Sequence, residues 1–101
     1  MQELNKENLE EAMKSETLVA LDFFGEWCGP CKTMLPIFTK VDSETEDINF
    51  YKVNVDTNKD LTNKFNVKSI PTVIILKKGK EIGRFSGSMS EEDVKNKLKE
   101  F

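Results

Sequence analysis

The chain has 101 residues, 38% of them apolar and 33% charged, with a net charge of −3, two cysteines and no histidine. That size and apolar share suit a single domain over residues 1–101, while interspersed Lys and Glu leave no basic patch for nucleic acid and no run long enough to span a bilayer. Without imidazole, Cys-His and Ser-His-Asp catalysis and most catalytic zinc centres are excluded, so proton transfer must come from carboxylate, lysine, thiol or water.

In chain order, Met1-Gln2-Glu3-Leu4-Asn5-Lys6 lacks the basic-then-apolar order of a secretory signal, which leads to the expectation of a cytosolic, reducing location. Gln2 to Leu4 is a candidate edge strand. Asn5 is placed to cap a first helix, whose apolar positions Leu9, Ala12 and Met13 keep helical spacing to about Ser15. Leu18-Val19-Ala20-Leu21-Asp22-Phe23-Phe24 is nearly continuous in apolar character, the pattern of a central strand covered on both faces. A second helix starts at the cysteines, with Met34, Leu35, Phe38 and Val41 as its buried stripe and Pro36 predicting a kink rather than an end. Ile48 to Val55 reads as a strand. Asp56-Thr57-Asn58 supplies turn and capping chemistry before a short helix carrying Leu61 and Phe65. Thr72 to Lys77 is another apolar strand, turned by Lys78-Gly79 into a hairpin with Glu81 to Ser86. Ser90 followed by three acids opens a last helix, with Val94, Leu98 and Phe101 as its buried face. The order of elements predicts an α/β fold with a mixed sheet of four or five strands and helices on both faces: helical crossovers imply a parallel part, the hairpin an antiparallel part.

The chemistry concentrates in Trp27-Cys28-Gly29-Pro30-Cys31, which holds both cysteines. Gly29 and Pro30 let the chain leave a strand and enter a helix tightly, which puts Cys28 at a helix N-terminus. There, free backbone N–H groups and the positive end of the helix favour a thiolate. A structural zinc site needs four ligands, mostly Cys and His, so a monomer lacks the residues for one, although a dimer pooling two Cys pairs would have them. An inert disulfide across so short a loop constrains the unfolded chain very little. A redox-active dithiol is the remaining reading.

The segment Asp22 to Lys32, with Pro36 one turn further on, resembles the active-site segment of the thioredoxin family. The resemblance extends through Val53-Asn54-Val55-Asp56, Val67-Lys68-Ser69-Ile70-Pro71-Thr72, Gly79 and Gly87, and covers almost the whole chain. It implies a thioredoxin fold and a protein-disulfide reductase needing no cofactor beyond its own Cys28–Cys31 couple, with Gly29 and Pro30 contributing to the redox potential. Cys28 matches the exposed attacking cysteine and Cys31 the buried resolving one. Asp22 matches the family's buried aspartate, a carboxylate raised in pKa by burial and able to take the Cys31 proton. Lys52 matches a lysine near that aspartate, as a modulator. Pro71 matches a cis-proline, leaving the Ile70 backbone free to pair with substrate. Trp27, Gly29, Pro30, Ile70, Pro71 and Gly87 together imply a flat, mostly apolar docking surface. Phe24 stands where many members carry Trp, and Ser69 where some carry Gly.

The partners implied are a thioredoxin reductase, NADPH- or ferredoxin-linked, and clients of the ribonucleotide reductase, peroxiredoxin and methionine sulfoxide reductase type, served by a monomer. Two other readings stay open from sequence. One is a disulfide oxidase or isomerase, against which Gly29-Pro30 speaks because such relatives usually carry histidine in that pair. The other is a binding module that uses the flat surface without redox turnover.

Overall fold

The computed structural model describes residues 1–101. Five strands, β1 (Gln2–Glu3), β2 (Leu18–Phe24), β3 (Ile48–Asn54), β4 (Thr72–Lys77) and β5 (Lys80–Ser86), form one sheet in the order β1-β3-β2-β4-β5. β1, β3 and β2 run parallel; β4 and β5 are antiparallel to their neighbours. Four helices complete the chain: α1 (Leu9–Lys14), α2 (Gly29–Glu44), α3 (Lys59–Lys64) and α4 (Glu91–Leu98).

Side-chain alternation along the strands divides the core in two. On one face Val19, Leu21 and Phe23 of β2 join Tyr51, Val53, Ile74 and Leu76, together with Ala12 of α1 and Phe65 at the end of α3. On the other, Ala20, Phe50, Val73 and Ile75 pack against Met34, Phe38 and Val41 of α2 and Val94 and Leu98 of α4. β2 is therefore buried on both faces, as its near-continuous apolar run requires. Ion pairs Lys40–Glu91 (3.1 Å) and Lys95–Glu44 (3.0 Å) cross between α2 and α4 at the surface.

Local chemistry explains the element ends. Asn5 accepts from the amides of Glu7 and Asn8 through its side chain, so it caps the turn that leads into α1. Ser90 accepts from the Asp93 amide at 3.1 Å and caps α4. α2 runs on through Pro36 without ending. Lys78 and Gly79 both have positive φ (51° and 79°), the conformation of a two-residue turn whose twist matches the hairpin. A Cβ at Gly79 would also lie 2.8 Å from the Met13 carbonyl oxygen.

Two expectations are corrected. Phe101 lies beyond the end of α4 and is 38% exposed, because its ring turns back over Gly83 of β5 instead of continuing the helical stripe. Leu35 is only half-buried, since it borders a cavity and not the packed core. At β5 the register slips between Ile75 and Leu76, which face Gly83 and Glu81, so Ile82 is the extra residue of a bulge and is exposed.

Candidate active site

β2 brings the chain to the site, and the turn after Phe24 closes when the Cys28 amide donates to the Gly25 carbonyl at 3.1 Å. Cys28 is the N-cap of α2, extended at φ −89° and ψ 111°, with Gly29 and Pro30 in the first helical turn where a missing N–H costs no helical bond. A cap side chain faces the free amides of that turn. Here it is a sulfur: the Cys31 N–H donates to Cys28 Sγ at 3.2 Å. On reduction the same donor and the helix's positive end stabilise a Cys28 thiolate.

Cys28 and Cys31 are joined as a disulfide with their Cα atoms 5.3 Å apart. The expected contrast between an exposed and a buried cysteine is absent, since both are 5% exposed: bonding to Cys31 folds the Cys28 sulfur over the first turn. Their surroundings differ instead. Cys28 Sγ lies 4.0 Å from the carbonyl oxygen of Ile70 at the rim, whereas Cys31 lines a partly open cavity.

The opposite wall is the loop before β4, where the Ile70–Pro71 peptide bond is cis. Thr72 Oγ1 donates to the Ser69 carbonyl at 2.6 Å and lies 2.9 Å from Ser86 Oγ, and the Gly87 amide donates to the Pro71 carbonyl at 2.9 Å. These bonds brace the loop from β5. Pro71 itself is buried, so the surface beside the sulfurs comes from Trp27, Gly29, Pro30, Ile70 and Gly87.

Trp27 is 69% exposed, held by donation from its indole Nε1–H to Asp56 Oδ2 at 2.9 Å. A Cβ at Gly25 would lie 2.9 Å from Trp27 Cε2 and 3.1 Å from Ile70 Cδ1, so only glycine lets those two side chains close over this turn. Sequence reasoning singled out neither Gly25 nor Asp56. Gly25 sits inside the motif and was available to notice, but Asp56 read as turn chemistry because nothing local ties it to a residue 29 positions earlier.

Behind the disulfide, Asp22 is 3% exposed and its Oδ1 has no hydrogen-bond partner. It shares a cavity of about 180 Å³ with Phe24, Gly25, Glu26, Cys31, Lys32 and Leu35. Burial pushes its carboxyl up to about 7, and the nearby Lys52 charge pulls it down by less. Lys52 is the register partner of Asp22 on β3 and is half-buried. The arrangement therefore unites Asp22, Lys52, Cys28 and Cys31: a disulfide just beneath the surface, and behind it a carboxyl that exchanges a proton near neutrality. No cluster of three or more His, Cys, Asp or Glu is close enough to hold a metal.

The family model described as Thioredoxin matches residues 1–100. A thioredoxin of Mycoplasmoides gallisepticum is 36% identical over 95 residues, covering 94% of this chain and 95% of that protein. A thioredoxin of Mycoplasma pneumoniae is 40% identical over 86 residues, covering 85% and 84%. The solved structure of thioredoxin NaTrxh from Nicotiana alata superposes with a TM-score of 0.81 at 32% identity, covering 90% of this chain and 78% of that one. A chain from a structure described as the thiol resolving mechanism in yeast mitochondrial 1-Cys peroxiredoxin via glutathione/thioredoxin systems gives a TM-score of 0.87 at 28% identity over 100% and 95% of the two chains. With the sulfurs, the cap and the fold in agreement, the chain belongs to the thioredoxin family, and its activity is protein thiol–disulfide exchange on the Cys28–Cys31 couple.

Proposed function

We propose that this exchange runs in the reducing direction, in the cytosol, with the chain acting as a monomeric electron carrier between a thioredoxin reductase and client protein disulfides. The observation that carries the division of labour is the one cavity shared by Cys31 and Asp22, with Cys28 outside it at the rim. Cys28 thiolate attacks a client disulfide, forms a mixed disulfide and releases one client sulfur as a thiolate, which takes a proton from water. Asp22 then accepts the Cys31 proton, and the Cys31 thiolate attacks Cys28 Sγ and expels the second client sulfur as a thiolate, which takes a proton from water while Asp22 returns its own to solvent. The client has gained two electrons and two protons; the carrier is left as its disulfide.

Docking falls to Trp27, Ile70, Pro71 and Gly87. The Ile70 backbone offers an extended client segment a strand-like partner beside the sulfur, with Pro71 setting the course of that backbone from beneath. Gly29 and Pro30 shape the turn that sets thiolate stability, and Lys52 modulates Asp22. A reductase, NADPH- or ferredoxin-linked, returns the electrons. Clients of the ribonucleotide reductase, peroxiredoxin and methionine sulfoxide reductase type fit this chemistry, and the yeast peroxiredoxin structure supports the second.

The test is reduction of insulin disulfides with a purified thioredoxin reductase. Cys28→Ser and Cys31→Ser each abolish turnover, and only Cys31→Ser traps a stable mixed disulfide through Cys28. Turnover surviving in either variant would refute the mechanism.

A further inference from the structure

Asp22 and Lys52 face one another across β2 and β3 and project from the same side of the sheet, yet no ion pair joins them. The Lys52 ammonium instead lies 5.9 Å from the centroid of the Phe24 ring. Phe24 is two residues along β2 from Asp22, hence on the same face, and it forms part of the cavity wall shared with Cys31. That separation is within cation–π reach, and the attraction grows when the cation is partly desolvated, as half-buried Lys52 is. Without the ring, a lysine here would lay its stem on apolar surface and extend its charge to water.

We propose that Phe24 is a positioning residue: its ring holds the Lys52 ammonium beside the Asp22 carboxyl but out of contact with it, and so sets how strongly that charge acts on the proton acceptor of the resolving step. A direct ion pair would hold Asp22 as a weakly basic carboxylate. A lysine withdrawn to water would leave the acid protonated and unable to take the Cys31 proton. The intermediate placement keeps the group titrating near neutrality. Glu26 from the turn and Lys32 from α2 face the same cavity, and β4 contributes the apolar Val73 opposite Asp22. Lys52 is the charge whose place the ring governs.

The proposal rests on Asp22 as the acceptor, and a double-mutant cycle read on the Asp22 carboxyl by carbon-13 NMR titration of the reduced chain tests it separately. Lys52→Met raises the Asp22 midpoint by about one pH unit in the parent. In a Phe24→Leu background the same change moves it by less than half as much. In a Phe24→Trp background, which keeps a ring face, the shift is at least as large as in the parent. Because each comparison is made within one background, altered solvation of the cavity cancels. Equal shifts in the parent and Phe24→Leu backgrounds, no shift in the parent, or a smaller shift with Phe24→Trp overturn the proposal. Should Asp22→Asn resolve mixed disulfides at the parent rate, the acceptor role fails while the coupling of Phe24 to Lys52 stays measurable.

Discussion

The two faces of the sheet are made from the same strands by alternation, and they part company at the end nearest the disulfide. On the α1/α3 face, Phe23 and Val53 carry the apolar core to the top of the strands. On the α2/α4 face, the row that should continue from Ala20 and Phe50 is Asp22 and Lys52. The first face answers only to packing. On the second, one row has been given over to a desolvated charge, directly behind Cys31, at the expense of stability.

The contrast can be broken most severely from the polar side: Cys31→Ser removes the sulfur in front of that row and lowers insulin-reduction turnover by at least about a thousandfold, with the fold intact by circular dichroism. From the apolar side, Phe23→Ala empties a fully buried site and destabilises by an amount near the upper end of roughly 3–5 kcal/mol in denaturant unfolding. Redox turnover per folded molecule changes little.

pH sharpens the comparison. Asp22 holds its proton in the folded chain up to about 7 but releases it near 4 when unfolded, so in that window the folded state binds more protons and stability falls as pH rises. The loss amounts to roughly 4 kcal/mol between pH 4 and 7 and is complete above that. Asp22→Asn removes this part of the slope, which urea midpoints measured across the range will register, and it slows resolution of the mixed disulfide. The smallest effect concerns Arg84, which donates to the Phe65 carbonyl at 2.7 Å and makes two 2.6 Å bonds to Glu81, tying the end of α3 to β5. Arg84→Gln costs about 1 kcal/mol and raises amide exchange at Val67 ahead of the Ile70 loop.

Periodic burial made most of this architecture legible. The run Leu18 to Phe24 could only be a doubly covered strand, and Asp22 stood out as the one charge inside it. Lys52 was visible by alternation with Ile48 and Phe50. Its ring partner was not: Phe24 stands out as a replacement for Trp, but nothing ties its ring to Lys52 until β2 and β3 are laid side by side. The Asp56 tether of Trp27 was hidden for the same reason: a hydrogen bond across 29 residues leaves no periodic trace. Phe101 shows the opposite error. It kept helical spacing with Val94 and Leu98, but the helix stops at Leu98, and past that point the ring follows the cheapest apolar contact instead of a period.

That ring has a consequence for how the molecule meets other chains. A sheet with open sides invites strand addition, and this one has two: β1, only two residues long, and β5. Along β5 a docking strand would encounter the bulge at Ile82, the ring of Phe101 over Gly83 and the charges of Lys80, Glu81 and Arg84. Both margins are thus poor templates for polymerisation, and the fold discourages fibre growth in a protein whose work is thiol–disulfide exchange with other chains.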